Sequence, residues 1–216
     1  MMGQPAAIFD VDRTLLAKTS TERLFFRHLF RHGELHLFGL LFFIYQFLLH
    51  MRRPEWRIIK SNKGYLRDLS VKRVEAAVPE FFDTVLRPRL VPNLVDRLKR
   101  HSQEGDEVFL LSGMPEFLLT FYAKELGVAH YWGTKVAAKD GVFTGRFEGP
   151  FPFGPAKAEI IKKIAAERGW DLSRCYGYAD HHTDVYFLEL VGHPVAANSD
   201  EKLRRVALQR GWEIIN

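Results

Sequence analysis

The chain of 216 residues has a single cysteine, Cys175, so it cannot form an internal disulfide, and a reducing compartment is favoured. It also lacks a long apolar run. The densest one, Leu37–Leu49, has thirteen residues, whereas a membrane-spanning helix needs about 20. The N-terminus reaches acidic residues before any apolar run develops. We therefore expect no secretory signal peptide and a cytoplasmic location.

Apolar residues make up 47% and charged residues 26% of the chain, which is ordinary for a globular protein and excludes a disordered one. Basic residues are concentrated in the N-terminal part. Residues 1–90 hold 15 Lys and Arg against 9 Asp and Glu, whereas residues 91–216 hold 16 against 17. This excess is either a solvated helical surface or a surface that meets an anionic substrate or lipid. No nucleic-acid-binding motif accompanies it, so we predict no nucleic-acid partner.

Short apolar runs followed by polar residues predict four buried parallel strands, at Ala6–Phe9, Glu107–Leu111, Cys175–Ala179 and Pro194–Ala197. Helical patterns lie between or after them, at Asn93–His101, Pro115–Leu126, Pro155–Arg168 and Asp184–Leu190. The alternation predicts an α/β fold, a Rossmann-like parallel sheet with helices on both faces. Residues 15–90 show helical periodicity without a clear strand, which indicates a helical insertion. An inserted β-hairpin is predicted at Val136–Phe147, with its turn at Asp140-Gly141.

Polar side chains follow three of the predicted strands. They are Asp10 and Asp12, then Ser112 and Gly113, then Asp180 and Asp184. Ligands of an open α/β sheet bind beyond the carboxyl ends of its strands, so we expect these residues to converge. Four clustered carboxylates need a compensating cation, and ligands that are all oxygens favour Mg²⁺ over zinc.

The chain resembles the haloacid dehalogenase (HAD) superfamily, and within it subfamily IB, the phosphoserine-phosphatase-like branch. Four motifs in the family's order support this: FDVDRTLL at Phe9–Leu16, LLSG at Leu110–Gly113, Lys157 at the start of a helix, and YADHHTD at Tyr178–Asp184. The resemblance implies a HAD core of residues 1–15 and 90–216. It also implies a helical cap of the C1 type at residues 16–89.

The same resemblance implies catalytic roles for the two aspartates of the first motif. Asp10 is the nucleophile that forms an acyl phosphate. Asp12 protonates the leaving oxygen and then activates water. Dehalogenases lack this second aspartate, because halide needs no proton when it leaves, so Asp12 indicates phosphoryl transfer.

The remaining motif residues bind metal or phosphate in the family. The resemblance implies that Asp10, Asp180 and the backbone carbonyl of Asp12 would hold Mg²⁺, while Asp184 would orient the metal's waters. Ser112 and the Gly113 amide hold phosphate oxygens at a helix N-terminus, and Lys157 offsets charge between nucleophile and phosphate.

Two positions depart from the family pattern. Arg13 stands where many relatives have glycine, which is strained if its φ is positive, and we assign it no phosphate-binding role. His181 and His182 replace the usual serine and its neighbour, and we expect them to be solvated rather than metal ligands.

The sequence thus predicts a Mg²⁺-dependent phosphomonoesterase that acts on a phosphorylated small molecule. Four alternatives stay open: a lipid-phosphate phosphatase of the phosphatidylglycerophosphate or lysophospholipid type, a phosphoserine phosphatase, a phosphotransferase to an alcohol, and a catalytically idle binding protein. Phosphoserine is disfavoured, because the glutamate that holds its amino group in phosphoserine phosphatases would fall near Thr19. The nearest candidate, Glu22, comes one helical turn late.

A helix that is apolar on every face must be covered by something. We expect Leu37–Leu49 to be the cap's own core or a homodimer contact. The alternative is shallow insertion into a membrane, which would place the enzyme at the periphery of the inner membrane. Lipid headgroups would then meet Arg27, Arg31, Arg52, Arg53 and Arg57.

Overall fold

The computed structural model describes residues 3–50 and 62–216, which contain a seven-stranded sheet in the order β4-β3-β2-β1-β5-β6-β7. The strands are β1 Ala6–Phe9, β2 Glu107–Pro115, β3 His130–Lys139, β4 Val142–Glu148, β5 Tyr176–Ala179, β6 His193–Ala197 and β7 Glu213–Ile215. Every pairing is parallel except the one between β3 and β4. The predicted α/β fold with a parallel sheet is confirmed.

Eight α-helices lie within the described residues. They are α1 Thr21–Arg31, α2 Leu37–His50, α3 Val71–Phe81, α4 Pro92–Glu104, α5 Glu116–Leu126, α6 Pro155–Arg168, α7 Val185–Leu188 and α8 Glu201–Arg210. A π-helical turn, Phe82–Leu86, follows α3, which contains Pro79.

Two apolar cores lie on opposite faces of the sheet, because successive side chains of a strand point to opposite sides. In β1, Ala7 and Phe9 belong to the core that α1, α3, α4 and α5 share, whereas Ala6 and Ile8 belong to the core covered by α6 and α8. All four side chains are completely buried. The first core thus joins the sheet to helices from the segment between β1 and β2.

The chain leaves the sheet after β1 and returns before β2 at two adjacent crossings. The Ala17 amide donates to the Arg89 carbonyl at 2.9 Å, and the Val91 amide donates to the Leu15 carbonyl at 2.9 Å. These paired crossings lie at the predicted boundaries of residues 16–89. The division into two domains itself stays a prediction.

Helix α2 corrects one expectation. Six of its apolar side chains are more than half exposed, and we call them the apolar face of α2: Leu37, Phe38, Leu41, Tyr45, Leu48 and Leu49. The prediction that this helix is internal cap core is therefore wrong for these six side chains, and the alternative of a homodimer contact stays a prediction. Among the described residues no helix is long and apolar enough to cross a bilayer. The predicted lipid contacts of Arg52, Arg53 and Arg57 lie outside the described residues.

The predicted hairpin is present but is not an insertion. The first part of β3 pairs in parallel with β2, from His130 opposite Phe109, and only its second part pairs with β4. The turn residues Asp140 and Gly141 have φ values of 51° and 78°, as a tight hairpin turn requires. Beyond the turn, β4 contacts residues 16–89, which we call the helical segment. The Phe143 amide donates to the Leu69 carbonyl at 2.9 Å.

Candidate active site

Three carboxylates meet at the carboxyl end of the central strands. Asp10 follows β1 and Asp180 follows β5, which pairs with β1, while Asp184 closes the next helical turn. One oxygen from each of the three lies within 4.8 Å of the others. Each residue is at most 6% exposed. The connections run from β1 to β2 on one side and return to β5 on the other, so the carboxylates lie where such folds bind ligands.

Lys157 joins two of these carboxylates. Its Nζ donates to Asp10 Oδ1 at 2.6 Å and to Asp184 Oδ2 at 3.0 Å. Lys157 is the third residue of α6, which begins at Pro155, a proline position that suits the first turn of a helix. Burial alone would lower the pKa of this amine, but the charges of Asp10 and Asp184 outweigh burial and raise its pKa above the usual value. Lys157 therefore stays a cation beside Asp10.

Asp180 is held by Arg13, whose Nε lies 3.1 Å from Asp180 Oδ2. Burial raises the pKa of Asp180 to about 8, with a further increase from the charge of Asp10. Arg13 has a φ of 64°, so the strain anticipated at this departure from glycine is present. Its ion pair with Asp180 was not anticipated, since nothing in the sequence indicates which carboxylate a loop arginine meets.

Asp12 has a different environment from the other carboxylates. Its Oδ1 accepts a hydrogen bond from the Thr21 amide at 2.7 Å, at the first turn of α1. The Thr21 hydroxyl in turn shares a hydrogen bond of 2.9 Å with Tyr122. Burial raises the pKa of Asp12 to about 6, against the opposing effect of the Thr21 hydrogen bonds. The Asp12 carboxyl is thus suited to exchange a proton near neutral pH.

Ser112 and Gly113 lie where the pairing of β2 with β3 is irregular, between Leu111 and Pro115. The expectation that they form a helix N-terminus needs correction, because α5 begins only at Glu116. The Gly113 carbonyl accepts from Thr134 Oγ1 at 2.8 Å. A Cβ at Gly113 would approach the Phe151 ring at 3.3 Å, so a side chain here would crowd the wall of the site.

All the predicted site residues line one pocket of about 700 Å³. Its walls come from Lys18–Ser20 with Glu22 and Arg23, which lie between β1 and β2, from Phe151–Phe153, and from His181–Thr183. Thr14, which sequence reasoning missed, lies below it and donates from Oγ1 to Asp10 Oδ2 at 3.4 Å.

His181 and His182 form a second cluster with Asp200 at the pocket edge. Asp200 Oδ2 is 2.8 Å from His182 Nδ1, while Asp200 Oδ1 accepts from the Leu203 amide at 2.7 Å and caps α8. The expectation that both histidines are solvated needs correction, because both side chains are half-buried and His182 is paired with Asp200.

A buried ion pair forms part of the wall on the helical segment. Lys63, whose side chain is completely buried, donates from Nζ to Glu22 Oε2 at 2.5 Å. Glu22 Oε1 and the Tyr65 hydroxyl have no hydrogen-bond partner of regular geometry in the described parts of the chain, but the two groups lie close enough to interact electrostatically. Burial and the charge of Glu22 raise the pKa of Tyr65 well above its usual value. Sequence reasoning missed Lys63, because a lone lysine in a basic segment gives no signal of burial.

The donor set fits Mg²⁺. The ligand atoms that converge are carboxylate oxygens, the type that Mg²⁺ prefers. Among the described residues, Lys157 and Arg13 are the cations that form ion pairs with these buried or half-buried aspartates. Burial raises the pKa of Asp12 and of Asp180, and the neighbouring charge of Asp10 raises both further. A divalent cation would relieve this repulsion.

Comparison with known proteins identifies the family. Residues 7–189 match the haloacid dehalogenase-like hydrolases. The "Inhibition of morphological differentiation protein" of Streptomyces azureus is 35% identical over 98% of this chain and 78% of its own length. A protein of Mycobacterium tuberculosis named as a phosphoserine phosphatase is 32% identical over 97% of this chain and 70% of its own length.

Solved structures share the fold. A protein of unknown function from Bordetella pertussis Tohama I superposes with a TM-score of 0.84 at 28% identity, covering 99% of both chains. A substrate-bound phosphoserine phosphatase superposes with a TM-score of 0.69 at 20% identity, over 98% of this chain and 92% of its own. With the motif residues gathered in one pocket, these likenesses show that the chain is a phosphatase and belongs to the haloacid dehalogenase-like hydrolase family.

Proposed function

We propose that the protein is a Mg²⁺-dependent phosphomonoesterase that works through a phospho-aspartate on Asp10. The arrangement around Asp10 is the observation that supports this most. Its carboxylate is buried, accepts a hydrogen bond from Lys157 at 2.6 Å, and belongs to the pocket that Asp12 and Ser112 also line. A carboxylate oriented in this way is a nucleophile rather than a solvated surface group.

In the first step, an Asp10 oxygen attacks phosphorus and the bond from phosphorus to the ester oxygen breaks. Asp12 gives its proton to the leaving oxygen, so an alcohol departs and an aspartyl phosphate remains. The raised pKa of Asp12, about 6, keeps a protonated fraction available for this transfer. Lys157 stays charged and offsets the negative charge that builds up on the phosphoryl oxygens.

In the second step, the ionised Asp12 takes a proton from water, which attacks phosphorus. The acyl phosphate bond breaks, inorganic phosphate leaves, and the Asp10 carboxylate is regenerated. Ser112 Oγ and the Gly113 amide are the groups that we assign to the phosphoryl oxygens. The irregular pairing of β2 at this point leaves the segment free of a regular ladder with β3.

We assign Mg²⁺ to Asp10, Asp180 and the Asp12 carbonyl, with Asp184 orienting its waters. When bound, the metal supplies positive charge that neutralises the phosphoryl group. Asp184 already shares Lys157 with Asp10, which keeps its carboxylate turned toward the site.

For the substrate we favour a phosphorylated small molecule other than phosphoserine. Relatives named as phosphoserine phosphatases support the phosphoserine alternative. The structure gives a reason against it, because Glu22, the acidic residue nearest to the expected position, is already neutralised by Lys63. A phosphorylated lipid is a second candidate, which the exposed apolar face of α2 favours.

The nucleophile is tested with Asp10→Asn. We expect kcat for an aryl phosphate to fall by about 10⁴-fold or more. Asp12→Asn should lower kcat by about 10²–10⁴-fold, while Asp96→Asn, an exposed aspartate on α4, is the matched control. An Asp10→Asn enzyme that keeps a few per cent of the activity, free of deamidation, would show that another residue attacks phosphorus.

Metal dependence and substrate class need separate assays. Exhaustive chelation should abolish aryl phosphate hydrolysis, and added Mg²⁺ should restore it; full activity after chelation would rule out the metal role.

A panel of phosphoserine, aryl phosphate and lysophosphatidic acid separates the substrate classes. Product analysis with added alcohols detects transfer to an acceptor other than water.

A further inference from the structure

The apolar face of α2 is exposed although the opposite side of the helix is well packed. Gly39 is buried, and the Phe43 ring lies 6.1 Å from Phe26 and 6.2 Å from Tyr65. The helix is thus held in place from within, while side chains such as Phe38, 75% exposed, face outward. A contiguous apolar surface of this kind marks a site of interaction with a protein or a membrane.

A row of arginines on α1 borders this surface. Arg23, Arg27 and Arg31 recur every four residues, so they share one face of the helix, and all three are exposed. They form no ion pair with any residue in the described ranges 3–50 and 62–216. At about 3.6 residues per turn, Phe30, 65% exposed, falls between this row and Phe26, which contacts α2. The apolar and the basic surfaces are therefore contiguous.

The carboxylates on and beside α1 do not neutralise the positive charge of the arginine row. Glu22 is paired with Lys63, and Glu34 lies 3.0 Å from Arg73. Helix α2 contains no charged residue, and the sequence that follows it, residues 51–61, holds four Lys and Arg against one Glu. Among the described residues, no carboxylate is ion-paired with the arginine row, so the surface is apolar with an adjoining cationic border.

The arginine row also leads to the active site. Arg23 lines the pocket, and Arg31 lies about 12 Å from it along the helix at 1.5 Å per residue. Anything that binds the row is therefore held near the pocket mouth.

We propose that α1 and α2 dock the enzyme on an anionic lipid bilayer. The apolar face of α2 enters the headgroup region, and Arg27 and Arg31 contact anionic headgroups. A second copy of the chain fits less well, because a symmetric contact would bring two unbalanced arginine rows together, and like charges across an interface are unfavourable. The docking does not depend on the chemistry at Asp10, so it is testable whether or not the proposed function holds.

The experiment measures sedimentation of the full chain with vesicles of phosphatidylcholine alone or mixed with phosphatidylglycerol. We expect binding to the mixed vesicles only, weakened by salt. Phe38→Asp with Leu48→Asp should abolish it, and Arg27→Gln with Arg31→Gln should weaken it about tenfold or more. Leu208→Asp is the matched control, since Leu208 is 64% exposed on α8, outside this surface.

Two further measurements keep the result interpretable. Thermal unfolding and aryl phosphate hydrolysis of each variant should match the wild type, because none of the changed residues lines the pocket or is buried. Equal binding to neutral and anionic vesicles, or none to either, would overturn the proposal. So would a concentration-dependent dimer in sedimentation velocity that Phe38→Asp with Leu48→Asp converts to monomer, which would assign the surface to a second copy.

Discussion

Single residues at the site balance charges that would otherwise repel. Asp180 shows this most clearly, because its carboxyl is buried beside Asp10 and lies 3.1 Å from the Arg13 guanidinium. Burial raises the pKa of Asp180 to about 8 from 3.8 for an ordinary aspartate, so we expect the metal-free protein to bind a proton at this carboxyl near neutral pH. A metal ion that binds Asp180 must displace this proton.

Mg²⁺ binding should therefore depend on pH. We expect the apparent Kd for Mg²⁺ to fall as the pH rises from about 6 to about 8, by up to about tenfold per pH unit. Titration calorimetry in buffers of different ionisation enthalpy would measure both the affinity and the released proton. Asp180→Asn should remove the pH dependence together with most of the affinity. A Kd that is constant across this range would contradict the prediction.

The same proton affects stability. Between pH of about 4 and about 8 the folded protein retains a proton that the unfolded chain has released, so the free energy of unfolding of the metal-free protein should fall as the pH rises. Urea unfolding at several pH values after chelation tests this, with Asp180→Asn as the variant in which the decline is smaller. Stability that increases through this window would refute the assignment.

Asp10, Ser112 and Asp180 could be predicted from the sequence because each follows an apolar run that ends at the sheet edge, whereas Lys157, on a helix, was predicted only from the family resemblance. All four residues line one pocket. The ion pairs between distant parts of the chain could not be predicted. Lys63 reaches Glu22 across 41 positions, and such long-range contacts depend on helix packing that no local pattern contains.

At the level of elements, the two sides of the helical segment differ in what they contribute. Phe25 of α1 is completely buried and packs edge-on against Phe81 and Phe117, with ring centroids 5.0 and 5.8 Å away. Leu48 of α2 is 56% exposed. Both helices have apolar residues in their sequences. Which of these side chains are buried depends on tertiary packing, which the sequence pattern does not show.

Substitutions on the two sides should therefore differ in cost. Phe25→Ala should lower the free energy of unfolding by about 3–5 kcal/mol, because it leaves a cavity between aromatic rings. Leu48→Ala should change it by less than about 0.5 kcal/mol. Urea midpoints with unchanged m-values would measure both effects. A large loss for Leu48→Ala would mean that α2 is covered in solution.

The last helix and strand show where the sequence pattern was too weak. Helix α8 buries only Leu203 and Ala207, and its other residues are mostly charged. Residues typical of helix ends nonetheless flank it: Asp200 caps the N-terminus, and Gly211, with a φ of 67°, follows the C-terminus. Edge strand β7 has three residues, which is too short for an alternation to be recognised.

For the whole molecule, the core shared by the sheet and the helical segment predicts one cooperative unit. Phe25, Val78, Leu118 and Phe9 belong to the same buried cluster, so the helices cannot separate from the sheet without exposing it.

Unfolding should accordingly follow a single transition. Three of the four tryptophans, at positions 132, 170 and 212, belong to the part outside residues 16–89, whereas far-ultraviolet circular dichroism reports on all helices. We expect the two signals to give coincident urea midpoints. Loss of helical signal at lower urea, with fluorescence unchanged, would show that the helical segment unfolds alone.

The contact between β4 and the loop before α3 limits how this enzyme can exchange parts with its relatives. Phe143 and Leu69 are joined by a backbone hydrogen bond, and the Asp68 amide donates to the Phe143 carbonyl at 2.8 Å. A chimera that receives only residues 16–89 from another phosphatase would leave the edge of β4 against a foreign loop. Recombination that preserves folding therefore has to move the hairpin of β3 and β4 together with the helices, so the two regions are expected to be inherited as one block.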